Sequence, residues 1–442
     1  MKNWGQEIGK AAWDLLLGLL TFVFFTLILS SGVALGAAKT TSSGVPLGAA
    51  KTAKYEAPSD TRASEVLPPN LRSGPHFKVQ DRVAADGYMY RFTVNSDYGT
   101  YVVTGEYGLR KLIKEIQAIA ALKKMSKGEA FAEGVKGKAQ ETVEFGANLV
   151  ADPGNTLTSV PKGVAKLFDN ISTGLHKPRE PRRDSVGQQL LNVSDAKRKM
   201  AYDLGVDVYS SNRVLQNELE SLSKAQALGS LGVSAAIPYG GGTVVGISRM
   251  SQTAGEVNRL LRDESPSGLR NTNERKLQAM GVDRSLTERF LNHTQFSPRH
   301  KTIIVASLEK LSRAQGREAF INFALRAADE ASANFMQNMA EILAAYQQTV
   351  SPIQEIVVPG ILLARAANGT VLIPFPLDYG VWTVRAERVV KNTLAGHKTG
   401  SRGPAKFELW VTGTVSPLAR KQLEAQGIKV VEKVDKRIGL MD

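Results

Sequence analysis

Three short stretches of the chain alternate hydrophobic and polar residues. They are HFKVQDRV, YMYRFTV and TYVVTG, which occupy residues 76–83, 88–94 and 100–105. Such alternation is typical of strands that bury one face, and the Asp86-Gly87 pair between the first two stretches is a frequent turn sequence. The pattern predicts a three-stranded β-meander.

The spacing of apolar residues then changes to three and four, beginning at Leu109 and continuing to Ala120. This period predicts an amphipathic helix, with Lys111 and Lys114 on its outer faces. The following segment is punctuated by glycines, and we expect short helices there. Residues 76–175 are therefore predicted to form one unit, a β-meander plus helices.

Helical periodicity continues through residues 185–350 and predicts a central helical bundle. Two passages share a helix-turn-helix pattern, in which a Gly-Val-Asp turn begins at Gly205 and again at Gly281. Glycine commonly ends a helix in the left-handed conformation. We expect Asn212 to cap the helix after the first turn, and Ser285 to open a capping box after the second.

The longest helix of the bundle is predicted to cover residues 317–348. Its basis is an apolar stripe that runs from Phe320 to Tyr346 at helical spacing. We interpret this stripe as bundle core. The alternative is that part of the stripe stays exposed and contacts a partner in an assembly.

Residues 351–442 mix strand and helix signals. The Asn368-Gly369 pair lies between two apolar runs and predicts a β-hairpin. A strand-like run, the Ser416-Pro417 helix start and a second strand-like run predict a β-α-β element. The sequence thus predicts an α+β fold, mostly α: an N-terminal three-stranded β-meander with a helix, a central helical bundle and a small C-terminal α/β unit.

The N-terminus has the organisation of a secretory signal peptide, which we assign to residues 1–38. Lys2 and Lys10 precede an almost wholly apolar run at residues 15–29, and small residues follow it. An uncleaved inner-membrane anchor is the alternative, since about 20 apolar residues span a bilayer. We therefore expect an exported protein of a Gram-negative bacterium, periplasmic or envelope-associated.

The segment Ser30–Thr40 recurs 12 residues later as Ser42–Thr52 with one substitution. A phosphate-binding loop would need a glycine directly before the lysine. Here two alanines separate Gly36 from Lys39, so the spacing excludes such a loop. We interpret the repeat as a tandem duplication at the exit of the leader.

Two segments are predicted to be linkers. Residues 39–75 are rich in proline, serine and alanine, and we expect a disordered linker there. Residues 176–184, HKPREPRRD, indicate a basic, proline-rich connection between units. A basic recognition arm is the alternative for the second segment.

The charge of the chain favours acidic partners. The net charge is +14, and because the charges of residues 1–38 cancel, the rest of the chain carries all of it. Anionic lipid, lipopolysaccharide or an acidic envelope protein would suit this excess, although a solvated basic surface is the alternative. Basic runs interleaved with aromatic residues are missing from the sequence, so nucleic acid is not an expected partner.

The most unusual internal stretch is residues 225–248, which contain no charged residue and six glycines. Glycine permits close backbone approach, so a hairpin that dips into a membrane is one interpretation, and a buried hairpin is the other. The candidate membrane-contact residues are Leu228, Leu231, Val233, Ile237, Val244 and Val245.

No motif in the sequence specifies catalysis, a metal or a cofactor. The chain lacks cysteine, which excludes disulfides, thiolate zinc sites and thiol nucleophiles. Among its five histidines only His293 and His300 are close in sequence, and we expect exposed or capping roles for them. Glu341 and Asp378 are the carboxylates bordering aromatic residues, and a carboxylate pair acting on glycans would draw on such groups.

The runs LGVDVYSSNRVLQNEL, SPSGLRNTNERKLQAMGV and FSPRHKTIIVASLEKL together resemble uncharacterised exported proteins of proteobacteria. The resemblance covers most of the chain after the linker. It implies an envelope location and carries no known activity or site residues.

These observations lead to three hypotheses of function. The first is a non-enzymatic envelope protein that binds an anionic membrane or envelope partner. The second is a periplasmic hydrolase that uses carboxylates in a cleft between the bundle and the C-terminal unit. The third is a structural or assembly factor.

Overall fold

The computed structural model describes residues 54–126, 194–227, 252–398, 405–438 and 440. The leader, the repeat and the linker at 176–184 lie outside these residues. So does the uncharged stretch at 225–248, except for 225–227, which end a helix.

The N-terminal sheet is built around one central strand. Its strands are β1 Thr61–Arg62, β2 Ser73–Gly74, β3 Phe77–Val79, β4 Arg82–Ala85, β5 Tyr90–Ser96 and β6 Gly99–Thr104. Strand β5 pairs antiparallel with β6 on one side, and on the other side with β3 and β4. The predicted meander is confirmed, with its first strand divided into β3 and β4. Phe92 and Val94 on β5 are fully buried.

A long helix packs across this sheet. Helix α3, Gly105–Ser126, follows β6 directly, and its apolar stripe from Leu109 to Ile119 is buried. The prediction of the helix is confirmed. The prediction that Lys111 lies on an outer face of this helix is wrong. Its side chain is only 15% exposed and points into the structure instead of into solvent.

The prediction of a disordered linker over residues 39–75 is wrong for its second part. Helices α1, Ala63–Val66, and α2, Pro69–Arg72, place Leu67 and Leu71 in the core beneath α3. Proline is well tolerated in the first turn of a helix, and a few leucines suffice to anchor a short segment to an existing core.

The residues before β1 are also bound to the rest of the fold. Glu56 accepts hydrogen bonds from Trp382 N–H and Ser416 Oγ, both at 2.6 Å. The Tyr55 hydroxyl donates to Glu387 at 2.6 Å. The segment is therefore a strap across the C-terminal unit.

The central helices are α4 Asp195–Asp203, α5 Arg213–Ala227, α6 Gln252–Asp263, α7 Pro266–Ala279, α8 Arg284–Leu291, α9 Pro298–Lys310, α10 Arg317–Ala324 and α11 Glu330–Thr349. Both Gly-Val-Asp turns have the same geometry, with Gly205 and Gly281 left-handed at φ 66° and 81°. Asn212 caps α5 as predicted. The capping box at Ser285 is wrong, because Asp283 caps α8 by accepting the Ser285 and Leu286 N–H groups.

The single helix predicted over residues 317–348 is two helices, α10 and α11. The carboxylate of Asp329 accepts the Ser332 N–H at 2.8 Å and so begins a new helix. A side chain that competes for backbone donors in this way favours a helix start over a helix interior. The apolar stripe continues through both helices and most of it is buried, including Phe320, Leu343 and Tyr346, while Phe323 and Phe335 are partly buried.

The C-terminal unit is a five-stranded mixed sheet. Its elements are β7 Ile353–Val357, β8 Leu363–Ala366, β9 Thr370–Pro374, α12 Val384–Lys398, β11 Lys406–Trp410, α13 Pro417–Ala425 and β13 Ile428–Val431, and a small pair is formed by β10 Tyr379–Gly380 and β12 Thr414–Val415. The strand order is β13-β11-β9-β8-β7. The hairpin at Asn368-Gly369 and the parallel β11-α13-β13 element are both confirmed.

The sheet and the bundle share one hydrophobic core. One face of the sheet contributes Ile356, Leu372 and Trp410 to a cluster with the helices α7 to α11. The other face packs against α12, α13 and the strap. The protein is thus α+β and mostly α, as the sequence predicts. Among the described helices, none is both long enough and apolar enough to cross a membrane.

Candidate functional site

A cluster of charged side chains, most of them buried, lies where α3 meets the helical bundle. Its members come from α3, from the turn after Gly205, and from the N-terminal ends of α9 and α11. We call this cluster the Lys111 junction, and it consists of Lys111, Glu115, Asp207, His300 and Glu330. Glu115, Asp207 and His300 are each less than a tenth exposed.

Lys111 is the cation at the centre of the junction. Its Nζ lies 2.6 Å from Glu330 Oε1 and 4.0 Å from Asp207 Oδ2. Burial would lower the pKa of Lys111, but the carboxylates of Asp207 and Glu330 outweigh burial and hold the pKa above its ordinary value. The ammonium is therefore charged and balances buried carboxylates.

Glu115 is held by hydrogen bonds as well as by charge. Its carboxylate accepts bonds from Ser210 Oγ at 2.6 Å and from Asn212 Nδ2 at 3.1 Å. Burial raises the pKa of Glu115 above its ordinary value, and the Lys111 charge with the two donors offsets only part of this effect. The residue thus joins α3 to the start of α5.

The junction encloses a cavity of about 10 Å³, which is roughly the space of one water molecule. Besides four junction residues, the side chains lining it include Tyr107, Lys114, Arg299 and Asn334. A space of this size cannot admit a substrate. Although the junction combines an acid, a base and a histidine, its geometry is that of a structural connection.

His300 uses both ring nitrogens inside the fold. Nδ1 accepts the Ser297 N–H at 3.1 Å, so the proton is on Nε2, which lies 2.8 Å from Asn334 Oδ1. Burial, and then the Lys111 charge, lower the pKa of His300 to about 4. The prediction of a capping histidine is confirmed for His300. Within the described ranges, no group of three or more His, Asp and Glu side chains could hold a metal ion.

Asp378 connects two backbone segments. Its Oδ2 accepts the Tyr90 N–H at 2.8 Å, and its Oδ1 accepts the Glu106 N–H at 3.0 Å. Glu106 lies in the first turn of α3, so Asp378 caps that helix from a distant part of the chain. Burial raises the pKa of Asp378 to about 6, against the opposite effect of these two donors.

Glu341 does not form a paired carboxylate site with Asp378. Its Oε1 accepts a hydrogen bond from Gln337 Nε2 at 2.8 Å, one turn earlier on α11. Neither carboxylate lines the cavity of the junction or the groove at β13. Where the helical bundle and the C-terminal sheet meet, the described residues form a shared hydrophobic core.

An open groove of about 620 Å³ follows β13 at the edge of the C-terminal sheet. We call it the basic groove, and its charged lining residues are Arg420, Lys429, Glu432, Lys433, Lys436 and Arg437. Cations therefore outnumber carboxylates in the groove by five to one. Lys429 and the three cations after Glu432 are exposed.

The cations of the basic groove differ in their partners. Arg420 Nη2 lies 2.6 Å from Glu432 Oε1, and Lys429 Nζ lies 3.2 Å from Glu408 Oε1. Glu432 also accepts the Val415 N–H at 2.8 Å. Across the ranges that the structure describes, no ion pair within 4.0 Å involves the exposed residues Lys433, Lys436 or Arg437, although Lys436 attracts the neighbouring carboxylate of Asp435.

The candidate membrane-contact residues, from Leu228 to Val245, lie outside the described residues. No protein-family model, curated protein or solved structure matches the chain.

The basic groove is a site that sequence reasoning missed. Its only signal was the strand-like run IKVV followed by EKVDKR, in which the cations have no helical or alternating pattern.

Proposed function

We propose that the protein is an exported, non-enzymatic component of the cell envelope that binds an anionic partner through the basic groove. The observation that carries this proposal is the set of exposed cations at Lys433, Lys436 and Arg437, which line the groove and form no ion pair within 4.0 Å among the described residues. The net charge of +14 adds long-range attraction to the same class of partner. The signal-like leader supports the envelope location.

The other two hypotheses receive less support from the geometry. The carboxylates of Glu341 and Asp378 are engaged by donors of the fold and do not line the cavity or the groove. Most of the apolar stripe of α10 and α11 is buried in the core, with Phe323 and Phe335 partly buried, so it offers little surface for assembly. A binding role therefore fits the described residues best.

Sedimentation with vesicles and with soluble polyglutamate tests the proposal. We expect the purified protein to bind phosphatidylglycerol vesicles, polyglutamate or both at low salt, and to release them as salt screens the charges. Phosphatidylcholine vesicles are the uncharged control. Absence of binding to both anionic probes at low salt would contradict the proposal.

A pair of charge-reversal variants locates the binding. We expect the triple variant Lys433→Glu, Lys436→Glu, Arg437→Glu to bind anionic probes about tenfold more weakly or worse, since like charges then face the probe.

The matched control reverses three exposed cations elsewhere, Lys78→Glu, Arg91→Glu and Lys124→Glu. Both variants lower the net charge equally. Equal loss of binding in the two would show that net charge, and not the groove, attracts the partner.

A further inference from the structure

Strand β13 is an edge strand of the C-terminal sheet. It pairs with β11 on one side and stands at the end of the strand order among the described residues. Edge strands expose backbone donors and acceptors, and a further strand can pair with them. The basic groove runs along this edge.

The backbone groups of Val430 face the open side. The Val411 N–H donates to the Val431 carbonyl at 2.9 Å, so the backbone groups of Val431 face β11. Along a strand these groups alternate between the two sides, so the N–H and C=O of Val430 point away from β11. Val430 is also one of the residues that line the groove.

Cations border this edge on both faces of the sheet. Arg420 lies on α13, which covers the face to which Val430 contributes its side chain, and Lys429 next to Val430 points to the opposite face. Lys433, Lys436 and Arg437 follow at the C-terminal end of the strand. An extended chain with acidic side chains would meet both unpaired backbone groups and complementary charge.

We propose that the anionic partner of the basic groove is an acidic polypeptide segment that pairs with β13 as an additional strand. This proposal rests on the proposed function and names the chemistry of its partner. A second copy of this chain is a poor occupant, because pairing two β13 strands would bring the cations of both grooves together. A lipid headgroup would pair with the cations but would leave the outward backbone N–H and C=O groups of β13 without a strand partner.

A peptide titration tests the role of the backbone. The probe is a short synthetic peptide of glutamate, valine and threonine, compared with the same sequence N-methylated at alternate residues. N-methylation removes backbone donors and leaves the charge unchanged. We expect the unmodified peptide to bind the protein and the N-methylated peptide to bind about tenfold more weakly, which corresponds to about 1.4 kcal/mol.

The outcomes separate this inference from the proposed function. Equal affinity for the two peptides, or binding to anionic vesicles without binding to either peptide, would overturn the added strand and leave the groove as a charge-based site. Failure of every anionic probe would contradict both proposals.

A variant of the protein tests the proposed backbone hydrogen bond by removing the donor on β13 instead of the groups on the peptide. Val430→Pro removes the outward N–H without removing a donor to β11, and proline is tolerated at such edge positions. Val430→Ala is the matched control that loses side-chain volume but keeps the N–H. We expect Val430→Pro to bind the unmodified peptide about tenfold more weakly than Val430→Ala at equal thermal stability. Equal peptide affinity of the two folded variants would overturn the proposal.

Discussion

The Lys111 junction and the basic groove are both built from charged side chains, but they differ in how the charges are satisfied. In the junction, Lys111 lies within 4.0 Å of two carboxylates, and a third carboxylate, Glu115, accepts two side-chain donors. In the groove, Lys433, Lys436 and Arg437 are exposed and make no ion pair with any residue that the structure describes.

This difference separates charges that maintain the fold from charges that remain for a partner. Buried charges need partners because desolvation is costly, so the junction joins α3 to the Gly205 turn and to α11. Exposed cations need no such partners, and their worth to stability is small. The same residue types are thus structural at one site and available for binding at the other.

The largest expected effect comes from breaking the junction at Lys111. Lys111→Ala and Lys111→Met should each lower the free energy of unfolding by about 3–5 kcal/mol, because each leaves buried carboxylates without their cation. Methionine keeps most of the side-chain volume, so similar losses identify charge as the cause. Urea unfolding near neutral pH measures the effect. A Lys111→Met variant within about 1 kcal/mol of the parent would contradict this account of the junction.

A second, pH-dependent effect is expected at His300. Its pKa in the folded state, about 4, lies below the ordinary value of 6.5, so the unfolded chain binds the proton more tightly. The stability that this group contributes is therefore fully present above about pH 6.5 and is lost as the pH falls towards 4.

His300→Asn removes this titration and keeps an acceptor near the Ser297 N–H. We expect the stability difference between parent and variant to shrink by about 2–3 kcal/mol between about pH 7.5 and pH 4.5. Urea unfolding at both pH values measures it, and His293→Asn is a control on a less buried histidine. A stability difference that does not change with pH would show that His300 does not titrate as described.

Local patterns predicted much of this fold. The strands of the meander, the Gly205 and Gly281 turns and the β-α-β element each depend on neighbouring residues and were recognised from them. The split between α10 and α11 was missed because a continuous apolar stripe outweighed the one capping residue, Asp329. The ordered structure of residues 54–75 was missed because the residues that bury Leu67 and Leu71 are distant in sequence and come together only in the tertiary fold.

The candidate sites depend on contacts that sequence spacing does not contain. Lys111 on an amphipathic helix looks like a surface lysine, and its partners Asp207 and Glu330 are far along the chain. Asp378 was singled out for its aromatic neighbours, whereas its partners are the backbone groups of Tyr90 and Glu106. Net charge predicted an anionic partner but gave no location for it.

The smallest expected effect is the change in stability when exposed cations of the basic groove are removed. Lys436→Gln and Arg437→Gln should change the free energy of unfolding by no more than about 0.5 kcal/mol, because exposed side chains without ion pairs contribute little to stability. Arg420→Gln is the comparison within the same groove, since it removes the contact with Glu432, and about 0.5–1 kcal/mol is expected there. Urea unfolding of the three variants gives the ranking. If Lys436→Gln were as destabilising as Arg420→Gln, the charge of Lys436 would contribute to the stability of the fold. It would then not be available for an acidic binding partner.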